Sequence, residues 1–531
     1  MVVAAPELSV APPATSLWRT VAALALLWGT LLVCGLGAGT GPAAFLPVPG
    51  ELPALILLLS LPPRAARLLR PLLVLLMMAA LVLAGADLVM RNLLDRGFNP
   101  ASDLPLIRDL LDLLAESFGR LPVAAVLVAA VLLVPALAAA LWRATGTISG
   151  LAPTLRARLG LMTVLILSAT TGGAGASGFL LDKGVETART FAELRLFRQA
   201  ARLDPWRATP PDLARLDRDV VIVFVESYGR TSFDTDFYAA AHLPILRAAQ
   251  SRLQAEGLAM RSGFVTSPTH GGQSWLAHAT LANGLRIDDQ TRYRAALASG
   301  RQSLFHLARR AGFRTATVAP GITRPWPEAA GMGFDRVLTA PDLGYAGKPF
   351  NWVTMPDQFT LAAFDRLTAG TADDPRPLFA QVVLISSHAP WVPVPQMIGW
   401  DQLGDGHAFD RMATQGDPPE VVWRDPSRVA AQYRDAISYS LATVLDYARL
   451  HAANPPLLIV LGDHQAATAI GQDARREVPV HVIGPAPLVD RVADWGLSPG
   501  LVPPPASPAI PMEDLRDLFL RSFSANQDRP S

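Results

Sequence analysis

The sequence predicts two parts of different kind: an α-helical membrane domain of five transmembrane helices, then an α/β domain with a mostly parallel sheet and helices on both faces. Three observations predict this. Half of the 531 residues are hydrophobic, yet most long apolar runs lie before Leu181. After Asp217, short apolar runs alternate with polar connections containing Gly and Pro, the rhythm of strands interleaved with helices. Two of those runs also deliver acids as they end, Val220–Val225 leading into Glu226 and 457–461 into Asp463-His464.

A hydrocarbon core about 30 Å thick takes roughly 20 apolar residues per helix. Segments 17–36, 43–61, 72–90, 121–142 and 159–181 approach that length. The first exceeds the apolar core of a signal peptide and is followed by further spans, so it reads as a retained helix. Pro47, Pro49, Glu51 and Pro53 interrupt the second, which reads either as a re-entrant segment or as a span and is counted as a span. Arg64, Arg67 and Arg70 fall between spans two and three, and Arg143, Arg156 and Arg158 between spans four and five, so both loops should be cytoplasmic. An odd number of spans then leaves everything after Leu181 outside the cytoplasm. Residues 104–118 set leucines opposite charged residues and read as an interfacial helix. Asp87, near the end of span three, reads as a solvated helix end.

The domain reading is a transmembrane part at 1–181, a juxtamembrane helix and linker at 182–217, and an extracytoplasmic catalytic part at 218–531. Within 183–202, apolar residues including Leu194 and Phe197 stand among charges, the pattern of a helix lying along the membrane surface. Strands are expected at Val220–Val225, Arg314–Ala319, 378–385, 457–461 and 478–483. Residues 401–425 read as a surface insertion or lid, and a last helix is expected at 512–523. Net charge is +1, and lysine occurs only at Lys183 and Lys348, so no basic tract argues for nucleic acid. The single cysteine, Cys34, excludes an intrachain disulfide or thiolate metal site.

Runs of this apolarity suit strands buried on both faces of a parallel sheet, and ligands gather at the carboxyl ends of such strands. Glu226, Asp463 and His464 would form there a mixed O/N set suited to Zn²⁺ or Mn²⁺ and poor for Ca²⁺. Between them, Gly271-Gly272 precede Ser274, which opens a helical pattern. A hydroxyl there gains free backbone N–H groups and the positive helix end for a phosphate or sulfate, and a metal would activate it. The plain alternative is an N-cap. His270 and His278 flank Ser274 and either touch substrate or pack beneath it. His481, inside an apolar run, reads as a satisfied strand histidine.

Val-Ile-Val-Phe-Val-Glu226-Ser-Tyr-Gly-Arg, Gly-Gly-Gln-Ser274-Trp, Ile-Ser-Ser-His388-Ala-Pro and Leu-Gly-Asp463-His464, in this order behind five spans, resemble the lipoteichoic acid synthase-like phosphoglycerol transferase branch of the alkaline phosphatase and sulfatase superfamily. The resemblance runs from Val220 to Gly484. It implies an enzyme of the bacterial inner membrane with its catalytic domain on the periplasmic or extracellular side. Such an enzyme takes phosphoglycerol from phosphatidylglycerol through a covalent phospho-enzyme and passes it to a glycan or envelope polymer. It implies Ser274 as nucleophile, Glu226, Ser274, Asp463 and His464 as ligands of a divalent ion, Mn²⁺ first with Zn²⁺ or Mg²⁺ as alternatives, and His388 as a catalytic and substrate-binding histidine. Arg324 and Trp326 approximate the headgroup-binding pair of the family, and His270 is a further substrate contact.

This chain departs from the pattern in places. Relatives usually carry Thr at the nucleophile position. Gln465-Ala466-Ala467 bring no second histidine, so one ion is expected rather than two. Ser274-Trp-Leu-Ala-His lacks the Pro and Arg of the sulfatase nucleophile motif. Phosphoethanolamine transferases typically carry disulfides, which Cys34 alone forbids, so they stand as the alternative, beside phosphodiester hydrolysis and a membrane-anchored non-catalytic binding protein.

Overall fold

The computed structural model describes residues 14–37, 51–107, 111, 114–115, 119–151, 155–170, 176–370 and 374–525. They form two compact units, 1–92 with 96–192, and 93–95 with 193–531.

The first unit holds α1 (Ala14–Gly37), α2 (Glu51–Leu59), α3 (Pro63–Leu94), α4 (Arg120–Ser149), α5 (Leu155–Thr170) and most of α6 (Ala176–Arg202). Three of these, α1, α3 and α4, are long and apolar enough to cross a membrane. They carry the first, third and fourth expected spans. The second and fifth correspond to α2, of 9 residues, and α5, of 16, both short of a span, with 43–50 and 171–175 outside the described residues. Most of the expected interfacial segment 104–118 also lies outside them.

Two expectations are corrected in this unit. Arg64, Arg67 and Arg70 are not in a loop but in the first turns of α3, where arginine is a good helix former and proline suits the start. Arg70 lies over the Trp142 ring at 4.0 Å and donates to Thr145 Oγ1 at 3.1 Å. Asp87 is not solvated: it is fully buried, 2.7 Å from Lys183 Nζ and 2.6 Å from Arg91 Nε, and accepts from the Phe98 amide. Two cations and one N–H satisfy a carboxylate that would otherwise be costly to bury.

The second unit is built on a nine-stranded mixed sheet: β1 (Val220–Val225), β2 (Ala259–Thr266), β3 (Arg314–Ala319), β4 (Arg336–Thr339), β5 (Leu378–Leu384), β6 (Leu457–Gly462), β7 (Glu477–Gly484), β8 (Ser498–Pro499) and β9 (Ala509–Pro511). Their order is β4-β3-β5-β1-β6-β7-β2-β8, with β9 beside β2. From β4 to β6 all pairs are parallel; β7 runs antiparallel to β6 and β2. The five expected strands are present. The remaining four escape a search for apolar runs because they are short or, like β2, broken by Arg261, Ser262 and Gly263.

Helices cover both faces, as expected. Val221, Val223 and Val225 face one core with α7 (Asp236–Ala255), α9 (Asp357–Thr368) and α10 (Pro426–Leu450); Val220, Ile222 and Phe224 face the other with α8 (Ser274–Asn283) and α11 (Asp514–Phe523). This two-sided burial is why β1 reads as a continuous apolar run. Leu194 and Phe197 of α6 pack against Leu276 and Tyr293, so these two residues of the expected membrane-surface face are buried within the domain, whereas Val185, Phe191 and Leu203 are exposed. Arg516 of α11 is fully buried, paired with Asp204 at 2.9 Å and bonded to the Asn283 carbonyl at 3.1 Å. That ties the C-terminal helix to the linker and to the end of α8. Residues 401–425 contain only short helical turns, with Phe409 anchored in the core.

Candidate metal centre and nucleophile

β1 and β6 are parallel neighbours, with Val225 opposite Gly462, so the residues that follow them emerge side by side. Glu226 bonds through its N–H to the Leu384 carbonyl at 3.1 Å, ending the ladder with β5. Ser227 then takes φ +57°, and this left-handed turn aims its N–H at Asp463 Oδ1, 2.9 Å away. The His464 N–H meets the same oxygen at 2.7 Å. Gly462 permits the approach: any Cβ there would overlap the Tyr228 carbonyl.

The side chains converge. Ser274 Oγ donates to Glu226 Oε2 at 3.0 Å and lies 3.3 Å from His464 Nε2. His464 Nε2 is 3.1 Å from Glu226 Oε1. One ligand atom from each of Glu226, Asp463 and His464 lies within 4.8 Å of the others, and all three residues are buried. The His464 ring is oriented by Nδ1–H donating to its neighbour's Gln465 carbonyl at 3.0 Å, which leaves the Nε2 lone pair facing the carboxylates.

The electrostatics match a cation site. Burial raises the Glu226 carboxyl, but the His464 and His388 imidazoles outweigh it and hold it well below the usual range. Asp463 moves the other way, pushed up to about 7 by burial and by the Glu226 charge. His464, against its own burial, is drawn up to about 9 by Asp463 and Glu226. Two buried carboxylates thus raise the affinity of this place for a positive charge at Nε2, proton or metal. Asp463 Oδ2 is buried with no hydrogen-bond partner among the described residues, an acceptor that a cation would satisfy. The donors present therefore fit a divalent ion.

Ser274 is the first residue of α8, reached through Gly271, Gly272 and Gln273 at φ +72°, +152° and +65°. The preceding residue Gln273 makes no side-chain cap bond, its carbonyl instead taking the Leu276 N–H at 2.9 Å, so the start of α8 carries no side-chain cap. His388 follows β5, stacked on Trp352 with ring centroids 3.8 Å apart, near enough for its charge to act on Glu226. Four of the predicted residues therefore meet, with His388 on the adjoining strand end.

The others stand apart. Arg324 is exposed on the loop after β3, and Trp326 packs partly into the core; β3 is separated from β1 by β5. His270 is buried with Nε2 on the Asp473 carbonyl at 3.2 Å, and its bridge to Gln465 pins the loop after β6, a role in holding the ligand loop. His278 packs its ring 4.2 Å from that of Phe224 and keeps Nε2 buried without a hydrogen-bond partner among the described residues. Sequence reading missed the supports. Ser387 Oγ donates to the Glu226 carbonyl at 2.6 Å, and Tyr433 OH to that of Ser227 at 2.8 Å. Asp357 accepts from the N–H groups of Ile385 and Ser386 and from Ser440 Oγ. Only the serine pair before His388 lay within a motif.

Residues 218–478 match the sulfatase family model. No curated protein matches the chain. Among solved structures, the chain is similar to the lipoteichoic acid synthase LtaP from Listeria monocytogenes (12% identity, 54% of this chain and 70% of that one, TM-score 0.34). It is also similar to the Streptococcus pyogenes phosphoglycerol transferase GacH in complex with sn-glycerol-1-phosphate (12%, 63% and 91%, TM-score 0.34). A third is the C-terminal periplasmic domain of EcEptC from Escherichia coli (16%, 61% and 88%, TM-score 0.37).

Proposed function

We propose that this chain, whose residues 218–478 match the sulfatase family model, is a membrane-bound phosphoglycerol transferase. It moves phosphoglycerol from phosphatidylglycerol to an extracytoplasmic glycan or polymer through phospho-Ser274. The observation that carries the reading is Ser274 Oγ at the start of α8, 3.0 Å from Glu226 and 3.3 Å from His464. A hydroxyl beside two buried carboxylates and an imidazole, at a helix N-terminus, suits attack on a phosphodiester better than capping alone.

Glu226, Ser274, Asp463 and His464 would hold one divalent ion, with Mn²⁺ our assignment. When bound, it lowers the pKa of the serine hydroxyl and neutralises charge on the transferring phosphoryl group. Ser274 Oγ, its proton accepted by Glu226, attacks phosphorus. The bond from phosphorus to the diacylglycerol oxygen breaks, and that oxygen takes a proton from His388. His388 Nδ1–H is engaged by the Ala389 carbonyl, so Nε2 donates when the ring is protonated and accepts when it is not. The neutral ring then takes the proton of an acceptor hydroxyl as that oxygen attacks phosphorus and the bond to Ser274 breaks, and Ser274 Oγ recovers its proton from Glu226, which restores both residues. The N–H groups of α8 bind the phosphate oxygens.

The three spanning helices suit a donor that stays in the bilayer, since a tethered site meets the headgroup without extracting the lipid. The arginines at the helix ends, Arg64, Arg67 and Arg70 at the start of α3, Arg143 in the later part of α4, and Arg156 and Arg158 at the start of α5, support a catalytic domain outside the cytoplasm of a bacterial inner membrane. To test the reading, the full-length protein in nanodiscs receives headgroup-labelled phosphatidylglycerol or phosphatidylethanolamine with Mn²⁺. Diacylglycerol release and a labelled Ser274 peptide from phosphatidylglycerol are expected. Label from phosphatidylethanolamine alone would reassign the headgroup, and none from either lipid would overturn the proposal.

A further inference from the structure

Four residues beyond His388, the chain enters the wall of a cavity of about 450 Å³ that the catalytic reading does not use. Val392, Pro393 and Val394 form one side, and Met412 and Val422 of the 401–425 insertion contribute to the other. Beside the lining residues in sequence, Trp391 and Trp423 stack with centroids 5.6 Å apart and planes 2° from parallel. Trp391 Nε1–H also donates to the Ser387 carbonyl at 2.7 Å, joining this wall to the loop that carries His388.

The lining is polar in a particular way. Gln396, Gln415 and Gln432 all face the cavity, and no side-chain amide of the three has a hydrogen-bond partner among the described residues. The charged lining groups are Arg428, Asp417 and Asp435, one guanidinium against two carboxylates. Arg428 is already paired with Asp417 at 2.7 Å, and Asp435 with Arg434 at 2.8 Å. Among the lining residues Arg428 is the only cation and is paired, which disfavours an anion, and an acyl chain would take the amides of Gln396, Gln415 and Gln432, two of them exposed and one half-buried, out of water without replacing their hydrogen bonds. A neutral polyol satisfies both constraints: its hydroxyls donate to amide oxygens and paired carboxylates and accept from amide N–H groups, and its C–H faces pack on valine, proline and methionine.

We propose that this cavity is a binding site for a neutral carbohydrate, the subsite that receives the glycan acceptor; its role as acceptor subsite rests on the transfer reading above. The shared segment from Ser387 to Val392 places sugar recognition and His388 on one stretch of backbone, so the acceptor hydroxyl would be delivered from this side.

The test reads binding, not turnover. The full chain in detergent, without phospholipid, is titrated with neutral tetrasaccharides of glucose, galactose and mannose, using tryptophan fluorescence and saturation-transfer NMR. Inorganic phosphate and ethanolamine serve as anionic and cationic probes. At least one tetrasaccharide should bind, and the double variant Gln396→Ala/Gln432→Ala should weaken that binding about tenfold, the scale of one or two lost hydrogen bonds. Ser274→Ala should bind sugar as the parent does, even if donor cleavage proves absent, so failure of the transfer reading remains distinguishable. The inference is overturned if none of the three sugars binds, if the double variant binds unchanged, or if phosphate or ethanolamine is what the double variant loses.

Discussion

Ser274 Oγ donates to Glu226 Oε2 across 3.0 Å, a contact joining the first residue of α8 to the first residue after β1. Neither residue sets the geometry alone. The bond exists because β1 and β6 deliver Glu226 and His464 in register, while the left-handed Gln273 turns α8 so that its first side chain falls between them.

Replacing Ser274 with Ala should abolish the labelled peptide and lower diacylglycerol release by at least about a thousandfold, since no covalent route remains. Ser274→Thr keeps the hydroxyl and should retain activity within about tenfold of the parent. Near-parental activity of the Ala variant would move the nucleophile elsewhere.

Asp463 offers one oxygen to two backbone N–H groups and keeps the other unpartnered. Mn²⁺ at about a hundred times its dissociation constant should stabilise the protein by about 2.7 kcal/mol, seen as a higher melting temperature that chelation reverses. In Asp463→Asn the charge facing the ion is gone, and the metal-dependent shift should disappear while the backbone bonds to Oδ1 persist. A shift of undiminished size in this variant would place the ion elsewhere.

The proposed ligands were legible in the sequence because they follow strands buried on both faces, and such strands leave continuous apolar runs. Glu226 and Asp463 stand at the ends of two of these runs, and strand adjacency does the rest. Order along the chain said nothing of partners chosen by tertiary packing. Asp357 opens a helix far from any motif, yet its carboxylate organises the loop before His388. Asp87 lay near the end of an apolar span, where solvation is the ordinary expectation; its burial depends on Lys183, which is remote in sequence. Leu194 and Phe197 carried the spacing of an amphipathic surface helix, a pattern that does not distinguish a bilayer from a neighbouring protein face.

Asp357→Ala should destabilise the catalytic domain by about 2–5 kcal/mol, because it leaves the Ile385 and Ser386 N–H groups and the Ser440 hydroxyl buried and unsatisfied, at about 1–3 kcal/mol for each group that water cannot reach. Asp357→Asn keeps an acceptor oxygen and should lose less. Denaturant unfolding of the two variants measures the difference, and equal losses would contradict the hydrogen-bond account.

Stability should fall on acidification, partly through two histidines remote from the ligands. His481 is buried between Ser262 and Tyr228. Ser262 gives its proton to the Gly500 carbonyl at 2.7 Å, so His481 Nδ1–H donates to Ser262 and Nε2 accepts from the Tyr228 hydroxyl, a neutral ring with no place for a second proton. Burial lowers His481 to about 3 and, with a smaller opposing effect of the Arg434 carbonyl, His242 to about 4. Both values lie below the ordinary value of about 6.5 that the unfolded chain regains. Between those limits the unfolded state binds more protons, so stability rises with pH. The contribution is complete above about pH 6.5 and is lost as pH falls toward 4 for His242 and toward 3 for His481, at about 1.4 kcal/mol per pH unit for each ring. Carboxylates at the metal centre also titrate, so the informative quantity is the difference between parent and His481→Gln in the slope of unfolding free energy from pH 6.5 to 4.5. A shallower slope in the variant is expected; identical slopes would mean that His481 keeps its proton balance unchanged on folding.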